Sequence, residues 1–520
     1  MAFQTRVLRD GEWVTETVNL QAALKASAAP QLAAEPLPQA PVCGILSQTI
    51  VESPVVRWVL PVRLRSSSHN DIAFIGVSPP PLSWQVIIWG PSHVLSWSSR
   101  EVSCYHRVAV LTNVNQEHFI QISQLGRDGQ VHDVLRKSDF GFRIRNAVVL
   151  GDSLEHGLDD DPYGVTVKPE PPSSPLSPGA HGIFDVLQGR SLPPQLLVLM
   201  LESCQLLFLF VRERPDHTLE FVITKYDNPR LLPYLGYQLA VDPSSRYMAA
   251  ATPEGIFVVY ELEALSELNR QYAEQGSIEP IKSIRLRTVS GAIHKLEFLF
   301  PRREDDYHII LLLIVSRRER SRGPPVARMA TYEWELGEDL QTIFAEERTG
   351  TRLPKEHRMP MLLIPIRFKT AFFAVSQFHV GIVKYALSGS PEFESLPTQP
   401  PARTPLFHGS GEPLWVAWAR PFRRKKYFEK TDIIYLARED GAIIHIEIDA
   451  TELLPSVTNV GCLGANIDTA FTTAYDIFSD VLIIGGDSGP GGIWKVRSHP
   501  IASDIWRAIL TAVPCLARPS

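Results

Sequence analysis

Residues Leu235–Leu262 read LGYQLAVDPSSRYMAAATPEGIFVVYEL, and their alternation of apolar runs and turns indicates the kind of fold. Three short apolar runs, Leu239–Val241, Tyr247–Ala251 and Ile256–Tyr260, are separated by Asp-Pro-Ser-Ser and Pro-Glu-Gly segments whose residues start reverse turns. So short a span leaves no room for a helix between the strands, which predicts an antiparallel meander. A meander of this kind is the unit from which the blade of a β-propeller is built.

The same alternation of short apolar runs and polar turns recurs along most of the chain. Further hairpins are predicted within Leu196–Val211, Ile433–Ile448 and Val481–Val496. One internal helix is predicted at Glu263–Gln275, a polar segment that ends at Gly276. We therefore expect an all-β fold, a WD40-like β-propeller of the seven-bladed type.

Composition divides the chain into a lead-in, a propeller and a tail. The Ala- and Pro-rich start favours flexibility, two Pro- and Ser-rich stretches favour disorder, and Ile501–Val513 has apolar residues at helical spacing. The expected segments are a flexible lead-in at 1–42, a propeller at 43–497 with disordered insertions at 151–182 and 388–411, and a helical tail at 498–520.

Composition and charge exclude several classes of protein. The 520 residues carry a net charge of −6, so the surface is not generally basic and any nucleic-acid contact has to be local. The five cysteines form no Cys-X-X-Cys pair, and the fifteen histidines form no pattern with metal-ligand spacing. The most apolar stretch, Leu196–Val211, is too short and too polar for a bilayer span. We expect an intracellular protein without metal, cofactor, membrane contact or small-molecule substrate.

Several segments together resemble one family. LGYQLAVDPSSRYMAAATPEGIFVVYEL, IIYLAREDGAIIHIEI from Ile433 and VLIIGGDSGPGGIWKV from Val481 occur in this order, after ESPVVRWVLPVRLRSSSHNDIAFIG from Glu52 and DFGFRIRNAVVLGD from Asp139. As a set they resemble the first β-propeller of the cleavage-and-polyadenylation specificity factor A-subunit superfamily. Its members include the large subunit of damage-specific DNA-binding protein and a fungal counterpart linked to methyl-methanesulfonate sensitivity. The resemblance covers roughly residues 43–496.

The resemblance implies a function. It implies a non-catalytic scaffold or adaptor of a nuclear multiprotein complex, in DNA-damage repair with ubiquitin ligation or in pre-mRNA processing, with protein subunits as partners. Family members are longer, with three propellers and a helical C-terminal domain. A truncated gene model, a short paralogue and a propeller incomplete at its C-terminal end therefore all stay open. An unclosed ring would expose strand edges.

Two basic clusters are candidates for a surface that binds DNA, RNA or a partner protein. They are Arg317, Arg318, Arg320 and Arg322, and Arg423, Arg424, Lys425 and Lys426. Aromatic residues flank the second cluster, and basic residues interleaved with aromatics can bind phosphate and stack on bases. A direct nucleic-acid-binding module is therefore the alternative function. A nuclear-import signal in the second cluster, and solvated loops in both, are the other interpretations.

The remaining motifs are short. Ser174 and Ser177 precede prolines as in phosphorylation sites, and Lys168 fits the consensus for SUMO attachment. Asp139-Phe140-Gly141 lacks the other segments of a kinase, and Ser488 in a Gly-Asp-Ser-Gly stretch lacks a positioned base. We expect Ser488 to lie in a β-turn and Asp139-Phe140-Gly141 to have no catalytic role. A propeller hydrolase is accordingly the weakest hypothesis, and no enzyme activity is predicted.

Overall fold

A computed structural model of the chain falls into two compact units, residues 1–50 with 84–112 and residues 51–83 with 113–520. The structure describes residues 2–9, 12–19, 55–66, 69–78, 117–125, 131–151, 191–229, 232–302, 305, 307–318, 325–357, 359–377, 379–388, 390–396, 412–421, 429–463, 466–467, 470–474, 480–485, 492–497 and 509–513. In the first unit, β1 (Ala2–Arg9) pairs with β2 (Glu12–Asn19) as an antiparallel hairpin.

The described part of the second unit contains seven four-stranded sheets, in which each strand pairs with the next along the chain and every pair is antiparallel. Sheets 1 to 3 are β3 (Val55–Val62), β4 (Asp71–Ser78), β5 (Glu117–Leu125) and β6 (Val131–Ser138); β7 (Ile144–Gly151), β8 (Gln195–Leu201), β9 (Gln205–Glu213) and β10 (Leu219–Asp227); and β11 (Gln238–Val241), β12 (Tyr247–Ala251), β13 (Ile256–Leu262) and β14 (Ile281–Thr288).

The other four sheets follow in chain order. Sheets 4 and 5 are β15 (Ala292–Leu299), β16 (His308–Arg318), β17 (Pro325–Glu335) and β18 (Thr351–Arg352); and β19 (Leu362–Pro365), β20 (Phe372–Val375), β21 (Val380–Lys384) and β22 (Glu392–Ser395). Sheets 6 and 7 are β23 (Trp415–Ala419), β24 (Thr431–Arg438), β25 (Ala442–Asp449) and β26 (Pro455–Cys462); and β27 (Phe471–Ala474), β28 (Asp480–Ile484), β29 (Gly492–Arg497) and β30 (Ile509–Val513).

Helices are few among the described residues. Helix α1 (Leu265–Gln275) connects β13 to β14 and ends at Gly276, whose φ of 71° is left-handed, so the helix predicted there is confirmed. Helix α2 (Leu340–Ile343) and a 3-10 turn at Lys355–His357 are shorter. None of the helices in this part of the chain has the length and apolar character that crossing a bilayer requires.

The seven sheets are arranged in a ring. The first strands β3, β7, β11, β15, β19, β23 and β27 contact one another in that order, and β27 in turn contacts β3. Each junction between neighbouring sheets holds one apolar cluster; the last is formed by Val59 and Ile72 of sheet 1 with residues such as Val481 and Ile483 of sheet 7. Packing between sheets, rather than strand pairing, therefore holds the ring together, and the predicted all-β propeller fold is confirmed.

All first strands run in the same direction. Arg145 at the start of β7 bonds to the segment just before β11, and the residue after β3, Arg63, donates its backbone N–H to Gln195 at the start of β8, 2.8 Å away. We call the side of the ring at which the first strands begin the top, and the side at which they end the bottom. Because each sheet has four antiparallel strands, connections between second and third strands, and between successive sheets, also lie at the top.

The structure differs from the expected segments at three places. Residues 2–19 of the predicted flexible lead-in form the β1–β2 hairpin, and Glu392–Ser395 of the second predicted insertion form β22, because this stretch pairs with β21. Ile509–Val513 of the predicted helical tail is strand β30, since pairing with β29 satisfies its backbone groups. Most of the first predicted insertion, residues 152–182, lies outside the described residues.

Closure of the ring gives a first test. A Cβ at Gly485 would lie 2.7 Å from the Cβ and Cγ1 atoms of Val56, where sheet 7 meets sheet 1. We expect Gly485→Ala to lower the free energy of unfolding by about 1–3 kcal/mol through this overpacking, measured by urea denaturation. Adding Val56→Ala removes Cγ1 but keeps the Cβ, so the double variant is expected to recover only part of the loss. Equal stability of Gly485→Ala and the unaltered protein would contradict the closed junction.

Candidate interaction surface

The structure describes only part of the two predicted basic clusters. Arg317 and Arg318 are the last two residues of β16; Arg318 is exposed, and Arg317 Nη1 lies 3.6 Å from Glu347 Oε1. Outside the described residues lie Arg320, Arg322, Arg423, Arg424, Lys425, Lys426, and the predicted modification sites Lys168, Ser174 and Ser177.

The strand ends that flank the two clusters are on opposite sides of the ring. Strand β16 is the second strand of sheet 4 and ends at the top, whereas β23 ends and β24 begins at the bottom of sheet 6. The structure therefore does not bring these strand ends together. Direct nucleic-acid binding through the two clusters stays a prediction.

A different surface stands out at the top of sheets 1 to 3. The segment that leads into β11, residues 232–237, carries Tyr234 and Tyr237 with 56% and 58% of their surface exposed, on either side of the fully buried Leu235. We call these residues the tyrosine loop. Large exposed aromatic side chains are uncommon on surfaces that only face water, and they concentrate binding energy where proteins meet.

Hydrogen bonds from sheet 2 hold the tyrosine loop in place. Arg145 Nη1 donates to the carbonyl oxygen of Leu235 at 2.7 Å, and Asn146 Nδ2 donates to that of Gly236 at 3.2 Å. The thiol of Cys204 donates to the Leu232 carbonyl at 2.9 Å. Three side chains from a neighbouring sheet thus fix three successive parts of the loop backbone.

The backbone of the tyrosine loop is strained. Tyr234 has a φ of 62°, in the left-handed region that a bulky residue rarely adopts, at a cost of about 1 kcal/mol or more. Gly236 has a φ of 83°, and a Cβ there would lie 2.2 Å from Met200 Cγ. Since the surrounding contacts enforce this conformation, the two tyrosine rings are presented in a preorganised arrangement, which lowers the entropic cost of binding.

Arginine and phenylalanine side chains extend this surface across sheets 1 and 2. Phe142, just before β7, is 58% exposed, and Arg143 beside it is also exposed. The guanidinium carbon of Arg145 lies 5.9 Å from the centre of the Tyr234 ring, within range of a cation–π interaction. The aromatic–arginine surface, as we call it, comprises Arg57, Phe142, Arg143, Arg145, Tyr234 and Tyr237.

A buried histidine lies under the same surface, at the junction of sheets 1 and 2. His118, at the start of β5, is 5% exposed, and its Nδ1 accepts a hydrogen bond from the backbone N–H of Ile144 at 3.3 Å. Nε2 therefore carries the proton of the neutral ring. Burial, together with the positive charges of Arg57 and Arg143, lowers the pKa of His118 to about 4, so the ring is neutral at physiological pH.

Sequence reasoning missed this surface. Its aromatic residues stand in turn segments, DFGF before β7 and PYLGY before β11, outside the apolar runs that form strands. An aromatic residue in a turn has no neighbouring strand to cover it, and that was the available signal. The sequence does not show that the side chain of Leu235 is buried while those of Tyr234 and Tyr237 are exposed.

The structure describes only one of the two motifs that resemble catalytic signatures. Asp139 is exposed, with a φ of 76°, in the connection between β6 and β7, and Ser488 lies outside the described residues. In the part of the chain that the structure covers, no group of three or more His, Cys, Asp or Glu side chains is placed to hold a metal ion.

Fold and surface together define the class: an all-β propeller with a preorganised aromatic patch at one side of its ring. Within that class, the chain belongs to the family of the RSE1/DDB1/CPSF1 first β-propeller, which it matches over residues 55–508. The family resemblance drawn from the sequence is thereby confirmed. Comparison with curated proteins gives no match.

Proposed function

We propose that this protein is a non-catalytic scaffold that holds other subunits of a nuclear complex on the rigid rim of a complete, seven-bladed ring. The preorganised tyrosine loop is the observation that carries the proposal. Loss of conformational freedom opposes association. A loop that hydrogen bonds already hold in one conformation loses little further freedom when a partner binds. The exposed rings of Tyr234 and Tyr237 are the expected anchors of the interface.

The cellular setting of the proposal comes from the family. Damage-specific DNA-binding and polyadenylation-factor relatives suggest DNA repair with ubiquitin ligation, or pre-mRNA processing, in the nucleus. A propeller fold hosts many functions, so the family supports the scaffold role more than any one process. The choice between processes follows from which partner the tyrosine loop binds.

Replacing both tyrosines tests the proposal. We expect the Tyr234→Ala, Tyr237→Ala double variant to bind its main protein partner about 30-fold more weakly, since truncating a binding hot spot costs about 2 kcal/mol or more. Tagged protein would be purified from nuclear extract, partners compared by quantitative mass spectrometry, and the dissociation constant measured for the most enriched partner.

Tyr307→Ala is the matched control. Tyr307 is 67% exposed but precedes β16 at the bottom of sheet 4, so its loss should leave the same partner bound. Circular dichroism would verify that both variants are folded. If the partners of the double variant and of the control are indistinguishable from those of the unaltered protein, the tyrosine loop is not the interface.

A further inference from the structure

The buried imidazole of His118 offers a hydrogen-bond donor that nothing among the described residues accepts. Its Nδ1 is already used by the Ile144 backbone N–H, which leaves the proton on Nε2, and that atom has no hydrogen-bond partner in this part of the chain. A buried donor without an acceptor is rare in folded proteins and calls for an explanation. One explanation is a ligand that supplies an acceptor for the Nε2–H of His118.

Two guanidinium groups belong to the same corner of the ring. Arg57 is the extra residue of a β-bulge between Val56 and Trp58, and its side chain is exposed. Arg143 precedes β7, with its carbonyl oxygen held by the backbone N–H of Glu202 at 2.9 Å and its side chain in solvent. Val77 of β4 pairs with Val55 on one side and with His118 on the other, which places Arg57 two residues along β3 from this row, and Ile144, the residue after Arg143, donates its backbone N–H to the His118 ring. Two guanidiniums and a neutral N–H donor form a set that matches a carboxylate or phosphate oxygen.

The neighbouring groups favour a short acidic peptide over a nucleic acid. The exposed rings of Phe142 and Tyr234 next to the arginines suit side chains of a peptide, as in protein interfaces generally. A nucleic-acid backbone would need a continuous basic stripe, but Asp139, Glu202 and Glu254 are exposed at the top of the same three sheets. A single carboxylate side chain of a peptide, by contrast, would contact only the local positive charge of the two arginines.

We propose that the aromatic–arginine surface binds an acidic peptide segment of a partner protein, with one peptide carboxylate held by Arg57, Arg143 and the Nε2–H of His118, and apolar peptide side chains resting on Phe142, Tyr234 and Tyr237. Because Nε2 is covered in the structure, the carboxylate reaches it as nearby side chains shift. This inference rests on the proposed scaffold function in that the ligand belongs to a protein.

The test uses the full chain and defined probes. A fluorescein-labelled dodecapeptide of alternating glutamate and leucine is titrated with protein and followed by fluorescence anisotropy, beside the same peptide with glutamine and a twelve-residue oligothymidine. We expect binding of the glutamate peptide only. The Arg57→Gln, Arg143→Gln double variant is expected to weaken it about tenfold or more, since charge-assisted hydrogen bonds are lost. Arg352→Gln, exposed on β18 in sheet 4, is the matched control.

A second readout reports on His118 itself. In histidine-labelled protein, the His118 ring signal, assigned with His118→Gln, should move on addition of the glutamate peptide, and its pKa should rise because a carboxylate stabilises the charged ring. His118→Gln keeps an acceptor and a donor, so it should retain most of the peptide affinity, whereas His118→Phe should not. The arginine variants decide the question if His118→Phe does not fold.

The outcomes separate this inference from the proposed function. Three results would each overturn the acidic-peptide site. They are equal binding of the glutamine peptide, binding of oligothymidine instead, and no effect of the arginine variant on binding. Loss of a partner in the tyrosine variant would then still uphold the scaffold function. Conversely, arginine-dependent peptide binding with no partner lost on tyrosine replacement would uphold the peptide site and overturn the scaffold interface.

Discussion

Replacing Asp432 by alanine is expected to lower the free energy of unfolding by about 3 kcal/mol or more, because it removes the carboxylate from a buried ion cluster. Asp432, fully buried near the start of β24, accepts hydrogen bonds from Arg420 Nε at 2.9 Å and Nη2 at 3.1 Å. It also accepts the backbone N–H of Arg367 at 3.1 Å. The cluster links sheets 5 and 6 at the bottom of the ring.

Without the carboxylate, two like charges remain close together. The guanidinium carbons of Arg367 and Arg420 lie 5.1 and 5.3 Å from the centre of the Phe300 ring. Burial, and after it the charge of Arg420, already lowers the pKa of Arg367 to about 9, and Asp432 is the group that opposes this shift. Its removal therefore leaves two poorly solvated cations without their counter-ion.

Urea denaturation of three variants would measure the effect. Asp432→Asn keeps an acceptor for the Arg367 backbone but loses the charge, so its loss of stability should lie below that of Asp432→Ala. Asp227→Ala, at an exposed residue whose carboxylate accepts only a Gln205 hydrogen bond among the contacts described, should cost less than about 1 kcal/mol. Equal effects of Asp432→Ala and Asp227→Ala would contradict the role of the cluster.

A second large effect should appear with pH. His118 has a pKa of about 4 in the folded protein, mainly through burial, against 6.5 ordinarily. Between these values the unfolded chain binds the proton and the folded chain does not. The contribution of His118 to folding stability is therefore fully present above pH 6.5 and is lost as pH falls to 4. The difference corresponds to about 3 kcal/mol. Burial also lowers the pKa of His294 and His357, with the same sign.

Two carboxyl groups act in the opposite direction. Burial raises the pKa of Asp242 to about 6 and that of Glu297 to about 7, so each binds a proton more readily in the folded state and favours folding as pH falls. The pH profile of the unaltered protein therefore contains cancelling contributions. The difference in stability between a single variant and the unaltered protein isolates the contribution of the replaced group.

The measurement compares His118→Gln with the unaltered protein in urea at pH 7, 6, 5 and 4. The variant should be less stable at pH 7 but should gain about 3 kcal/mol relative to the unaltered protein by pH 4, since it has no ring to keep neutral. Asp242→Asn is the control of opposite sign and should lose relative stability over the same range. Parallel pH profiles for His118→Gln and the unaltered protein would show that the buried ring does not couple folding to pH.

Local signals in the sequence were enough for most of the strands. Hairpins within 196–211 and 433–448 lie where apolar runs flank polar turns, and Gly276 ends the one helix that was predicted. Even the hairpin missed at the N-terminus had such a signal, because Asp10-Gly11, a common turn pair, separates β1 from β2.

Contacts between sheets could not be predicted in this way. His118 and Ile144, or Arg145 and Leu235, are far apart in sequence, and nothing local indicates that the ring brings them together. The same holds for Ile509–Val513, whose helical spacing was overridden by pairing with β29. The residues of the aromatic–arginine surface are brought together by such contacts, so the surface could be identified only from the structure.

The junction between sheets 7 and 1 also has a consequence for biosynthesis. Val59 and Ile72 of sheet 1 are covered by residues of β27 and β28, roughly 400 residues later in the chain. At a translation rate of about 5–20 residues per second, this flank of sheet 1 stays uncovered for about 20–80 seconds while the ribosome completes the ring. Nascent chains stalled before β27 should therefore recruit chaperones that bind apolar surface and release them once sheet 7 emerges.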